Sequence, residues 1–270
     1  MTRLSCTQAT QTKIVSVPVA PAGKAGAISN LLVATKANDV AAAMESVQGR
    51  LTPSQSRVVM LCNGMGYSTG KAVEQQLVAS STHGCFMRER FNVVHTGFGE
   101  VHIGPAPGAT VDPGALATVA LELQIAGLAV SAVDDMLPLL WRKLAANAAL
   151  NGATALVGCK NGAMVESSEG RRFVELICHE VSAVMVGGLT GEELTEYALE
   201  VARSSAENYS SMYQDMVHGR PTEIDYINGH VVRCSHSKGV QAATNQAVLS
   251  LVKLKEQMSM ERRKHHRAQD

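Results

Sequence analysis

Residues 140–164 read LWRKLAANAALNGATALVGCKNGAM, and the fold is decided from this stretch outward. Lys143, Asn147 and Asn151 stand at i, i+4 and i+8, a spacing that lines them along one face of a helix. Leu144, Ala145, Ala148 and Ala149 surround them. A solvated helix face more often carries Glu and Lys than Asn, a poor helix former. Such a stripe serves a polar ligand, lines an interdomain groove, or caps a neighbouring loop with its amides.

A second stretch, residues 205–232, reads SAENYSSMYQDMVHGRPTEIDYINGHVV. Asn208, Ser211 and Asp215 stand at i, i+3 and i+7, again one helical face. Pro221 and Thr222 are expected to open a further helix, with Ile224, Ile227 and Val231 as its apolar side. Glu223 would lie in its first turn, where the helix dipole favours a carboxylate; an acidic residue there is also ordinary without any function. Together the two stretches supply an ammonium, a carboxylate, several amides and a hydroxyl. That inventory suits a small, polar, anionic substrate. A lysine acts as a general acid when its surroundings tune it: burial lowers its pKa and a nearby carboxylate raises it.

The N-terminal third alternates strand and helix patterns. Residues 29–35 and 57–63 are short apolar runs that suit buried parallel strands. Helices are expected at 38–47 and 71–78, with a short run near 77–82. Strand, helix, strand, helix implies βαβ units. The stretch FNVVHTGFGEVHIGP is expected to be a hairpin. From Asp112, a capping residue before Pro113, strand patterns stop. Helices are expected over 135–154, 168–187, 190–208, 209–217, 222–236 and 244–260.

The 270 residues suffice for one or two domains, and 46% hydrophobic content for a core. Twenty-four basic and 24 acidic residues cancel, which argues against a nucleic-acid or anionic-membrane surface. The run Arg262–Arg263–Lys264–His265–His266–Arg267 is expected to be a solvated, disordered tail. Six cysteines without a C-x-x-C pair or metal spacing read as reduced thiols and no metal site. No apolar run reaches the length that spans a bilayer. The Ser- and Thr-rich opening, MTRLSCTQATQTK, weakly fits an organelle leader but lacks several arginines; the expected compartment is the cytoplasm, with the mitochondrion as the alternative.

LWRKLAANAALNGATALVGCKNG, followed by NYSSMYQD and GRPTEIDYINGHVV, resembles the ketopantoate reductase (2-dehydropantoate 2-reductase) family. NLLVATKAND, VVMLCNGMG, STHG and HTGFGEVHIGP extend the resemblance over residues 28–258. It implies reduction of 2-dehydropantoate to pantoate with NADPH, in pantothenate and coenzyme A synthesis. It implies Lys143 as general acid, with Glu223 beside it to orient or balance it. Asn147, Asn151, Asn161, Asn208 and Ser211 would bind substrate. Lys36, Asn63 and Glu223 would face the cofactor, the first two beyond the carboxyl ends of the parallel strands.

One part of the family pattern is missing. The family opens on a strand and a G-x-G-x-x-G turn that cradles pyrophosphate, and this sequence contains no such motif; Gly23 and Gly26 do not make one. A smaller departure is GVQAATN, where the family places a proline near Ala243. The expected fold class is α/β then all-α: a truncated Rossmann-type parallel sheet, residues 1–125, then a helical 6-phosphogluconate-dehydrogenase-like domain, residues 126–262, then the basic tail, 263–270. Such a sheet has an uncovered edge, to be met by a homodimer or a partner completing it. Rival readings are a truncated product of an active enzyme, a non-catalytic homologue serving as a binding or structural subunit, and a reductase of another 2-keto acid.

Overall fold

A computed structural model describes residues 2–8, 11–24, 26–69 and 75–267. The chain divides into two compact units, residues 1–35, 39–62 and 68–136, and residues 36–38, 63–67 and 137–270.

The first unit holds two sheets. β1 (Thr2–Gln8) and β2 (Gln11–Val17) pair antiparallel. β3 (Asn30–Val33) leads through a 3-10 turn into α1 (Val40–Val47), then β4 (Arg57–Met60). β5 (Gln75–Ser81), β6 (Gly84–Glu89), β7 (Asn92–Gly97) and β8 (Val101–Pro105) follow. α2 (Pro113–Ile125) is capped by the Asp112 side chain, which accepts from the Ala115 N–H, and β9 (Val130–Ala132) closes the unit. Strand orders are β2-β1-β7-β6 and β3-β4-β5-β8-β9. β3, β4 and β5 run parallel, as the βαβ pattern requires, while β8 lies antiparallel to β5. α2 packs Val119 and Ala120 on Val59, Leu77, Ala79, Val101 and Ile103.

Several sequence expectations are corrected here. Residues 75–81 are a strand, which takes in the short run near 77–82 but not the end of a 71–78 helix; residues 70–74 lie outside the described ones. The pattern misleads because β5 is central: Leu77, Val78, Ala79 and Ser80 are all buried, so the in–out alternation is lost. A hairpin exists, but it turns one strand earlier. Residues 75–89 and 92–105 form one long antiparallel ribbon that turns at Arg90–Phe91, with Phe91 at φ 67°, and is split between the two sheets. The bend falls where Gly99 meets Thr82 and His83; a Cβ there would lie 2.6 Å from the His83 nitrogen. β7 and β8 therefore belong to different sheets. Strand structure also continues past Asp112, in β9. β1 runs parallel beside β7.

The second unit is helical: α3 (Leu137–Val157), α4 (Ala163–Glu166), α5 (Ser168–Val184), α6 (Gly191–Ser204), α7 (Ser211–His218), α8 (Asn228–Lys238) and α9 (Ala243–Arg267). Its core is poor in aromatics, so helices approach closely on small residues: Ala145, Ala148, Ala149, Ala198 and Ala202 are buried with Val174, Ile177, Val181 and Leu194. The helix expected to start at Pro221–Thr222 is instead a 3-10 turn, Ile224–Tyr226, followed by α8, although Ile224, Ile227 and Val231 are buried as their spacing required. α9 continues through Arg267, so the stretch 263–267 is helical rather than disordered, and 268–270 lie outside the described residues.

Glu180 of α5 caps α9 from outside. Its carboxylate accepts from the Thr244 N–H at 2.8 Å, the Asn245 N–H at 2.9 Å and Asn245 Nδ2 at 2.8 Å. The two backbone N–H groups are helix N-terminal donors with no partner inside their own helix. Glu180→Ala is expected to lower unfolding free energy by about 2 kcal/mol, read from the urea midpoint; a shift under about 0.5 kcal/mol would show that water replaces the cap.

Candidate active site

Every residue assigned to the site from sequence falls in the helical unit, because residues 36–38 and 63–67, which follow β3 and β4 in the chain, belong to it. Lys143 is half-buried on α3, one turn before the half-buried Asn147; Asn151, a turn further on, is buried. α3 is helical because alanines and leucines dominate it. Its Gly152 is required by packing, since any Cβ would collide with Val248. Burial pulls the Lys143 ammonium below the ordinary lysine range, and the charge of Glu223 pulls it back up.

Glu223 is buried at the entry to the 3-10 turn. One carboxylate oxygen accepts from the Ala37 N–H at 2.9 Å and the other from Asn63 Nδ2 at 3.4 Å. Burial raises its pKa, and Asp215 adds to that; the Ala37 N–H, Asn63 and Lys36 oppose it. Lys36 donates to the Pro221 carbonyl at 2.9 Å and pairs with Asp215 at 2.5 Å, and Arg220 Nε pairs with the other Asp215 oxygen at 3.0 Å. Asn38 Nδ2 donates to the Thr222 carbonyl at 2.7 Å. Residues 36–38 are thus stapled side by side to residues 215–223. The turn after Asn63 is docked by the Met65 N–H on the Tyr226 carbonyl at 2.8 Å. Gly64 has φ 77°, and a Cβ there would lie 2.5 Å from the Tyr226 oxygen; only glycine meets both demands.

The remaining three residues lie on a different part of this unit's chain. Asn161, buried before α4, donates through Nδ2 to Ser205 Oγ at 2.9 Å and through its N–H to the Asn208 carbonyl at 3.0 Å. Its Oδ1 is a buried acceptor without a hydrogen-bond partner. Asn208 and Ser211 are exposed. The single-face reading of Asn208, Ser211 and Asp215 does not hold, because α7 starts at Ser211 and Asn208 precedes it; Asp215 is buried and faces Lys36 instead. Sequence reasoning passed over Asn38 and Ser210. Ser210 had a signal: a serine just ahead of a helical pattern is a cap. Asn38 had none, since its partner is 184 residues away. Among the described residues no cluster of His, Cys, Asp or Glu is arranged for a metal, and no helix is long and apolar enough to cross a membrane.

Against known proteins, residues 2–108 match the family model "Ketopantoate reductase PanE/ApbA" and residues 135–256 its C-terminal model. A 2-dehydropantoate 2-reductase of Vibrio cholerae is 36% identical over 238 residues, covering 84% of this chain and 77% of that protein. One of Pyrobaculum aerophilum is 32% identical over 240 residues, 87% and 80% of the two chains. Among solved structures, a PanE/ApbA family ketopantoate reductase from Ralstonia eutropha superposes with TM-score 0.82 at 22% identity, over 95% of this chain and 86% of that one. D-mandelate dehydrogenase in a ternary structure with NADH and anilino(oxo)acetate superposes with TM-score 0.85 at 21% identity, over 95% and 85%. These last two likenesses speak for the fold, which is an α/β part followed by a helical part. With relatives this similar across most of both chains, the protein belongs to the ketopantoate reductase family.

Proposed function

We propose that this chain reduces 2-dehydropantoate to pantoate, the ketopantoate step of pantothenate and coenzyme A synthesis, with NADPH as the hydride donor. The observation that carries the reading is the Glu223 carboxylate, gripped by the Ala37 N–H and Asn63 Nδ2 while its charge acts on the half-buried Lys143. A nicotinamide cofactor, when bound, would supply the hydride that reduces C2 of the keto acid. The Lys143 ammonium donates a proton to the C2 oxygen, so the developing alkoxide is neutralised as it forms. Burial makes this lysine a readier acid than an exposed one, and the charge of Glu223 opposes that shift. Asn147, Asn151, Asn161, Asn208 and Ser211 offer amides and a hydroxyl to the substrate's carboxylate and hydroxyl without adding charge.

Lys36, Asn63 and Glu223 fit the reducing end of a nicotinamide cofactor: an ammonium, an amide and a carboxylate joined through residues 36–38 and 215–223. The pyrophosphate end is less well provided for, since the sequence holds no G-x-G-x-x-G turn. No disulfide joins the six cysteines, as thiols of a reducing compartment would stand, and the cytoplasm is the compartment proposed.

The test is NADPH oxidation by the purified full chain, dependent on ketopantoate, with NADPH binding followed by calorimetry. Absence of both would leave the non-catalytic reading. Faster turnover with another 2-keto acid, or with NADH, would replace the substrate or the cofactor and keep the chemistry.

A further inference from the structure

The groups assigned to substrate lie on two helices far apart in sequence. Lys143, Asn147 and Asn151 are on α3; Asn208 and Ser211 flank the start of α7. Apolar packing between helices is non-directional and leaves their sliding and rotation loosely set, whereas a binding site tolerates errors of only about 0.5 Å. Something directional must set the register.

Thr154 and Ser210 meet that need. Thr154 is on α3, one turn beyond Asn151, and is fully buried; Ser210 is buried and caps α7. Their hydroxyl oxygens lie 2.8 Å apart. Ser210 Oγ accepts from the Tyr213 N–H at 3.2 Å and lies 3.5 Å from the Asn151 carbonyl oxygen. Thr154 Oγ1 is also 2.8 Å from the Leu150 carbonyl of its own helix. One pair of hydroxyls thus connects the backbone of α3, at the residue that presents Asn151, to the first turn of α7, at the residue before Ser211. Neither side chain belongs to the assigned substrate set.

We infer that Thr154 and Ser210 are positioning residues that register the α7 substrate groups against those of α3; the substrate named in the test rests on the proposed function. Thr154→Val keeps the branched shape and removes the hydroxyl, and Thr154→Ser keeps the hydroxyl. In the full chain, Thr154→Val is expected to raise the KM for ketopantoate roughly tenfold, the worth of one ordinary hydrogen bond, with kcat within about twofold because Lys143 is not moved. Amide exchange at Tyr213 should become faster by a similar factor, and Thr154→Ser should restore both. Unchanged KM and unchanged exchange in Thr154→Val would overturn the inference. So would a joint fall in kcat and thermal midpoint that Thr154→Ser fails to restore, which marks a merely structural hydroxyl. Should the parent chain not turn over ketopantoate, the proposed function fails, and Tyr213 exchange alone decides the inference: faster in Thr154→Val supports it, unchanged overturns it.

Discussion

Lys143→Ala is expected to lower turnover by roughly two to four orders of magnitude, the usual contribution of a positioned general acid. On the proposed mechanism the loss should fall on kcat, because Lys143 would deliver its proton only as the C2 oxygen gains charge. Stability should not fall with it. Folding lowers the pKa of this lysine, so the protonated form is less favourable in the folded chain than in the unfolded one. Acidifying through the lysine range therefore destabilises the parent protein, and the alanine variant escapes that penalty. The same shift has a kinetic counterpart. Turnover of the parent should decline on the alkaline side at a pH below the ordinary lysine range, as the acid loses its proton. Near-normal turnover in Lys143→Ala would remove Lys143 from its role, and an alkaline limb unaffected by the substitution would mean that another group titrates there.

Glu223→Ala should come next in size, with kcat/KM for ketopantoate falling on the order of a hundredfold. Two effects add. The Ala37 N–H and the Asn63 amide lose their acceptor, and hydrogen bonds to a charged group are each worth about 1.5–3 kcal/mol. Lys143 also loses the charge that holds its pKa up, so the alkaline limb should move to lower pH. Glu223→Gln separates the two: its amide oxygen can keep one donor while the charge is gone, so it should show the pH displacement with a smaller loss of kcat/KM. The opposite displacement would refute the coupling between the two residues. Equal losses of substrate use and cofactor binding, with a lower thermal midpoint, would point to misfolding instead.

The placement of Lys143, Asn147 and Asn151 along one helix was readable without coordinates, because helical periodicity is local and needs only a count of about 3.6 residues per turn. The βαβ unit from β3 through α1 to β4, the Asp112 cap and the burial of Ile224, Ile227 and Val231 were legible for the same reason. Illegible was whatever depended on a distant partner. The first half of β5 looked like the end of a helix because burial on both faces erased the alternation that marks a strand. The ribbon of residues 75–89 and 92–105 turned at Arg90–Phe91 rather than at its glycines, because pairing with β1, β4 and β9 decided where each strand belonged. Asp215 was visible on its helix, but not that it would meet Lys36, 179 residues away along the chain.

Lys143 and the motif around it were thus determined by sequence alone, through local periodicity and resemblance. That Glu223 closes on Ala37 and Asn63 and acts on Lys143 was decided only by tertiary structure, since a hydrogen bond or a Coulomb interaction depends on distance in space and not on separation along the chain.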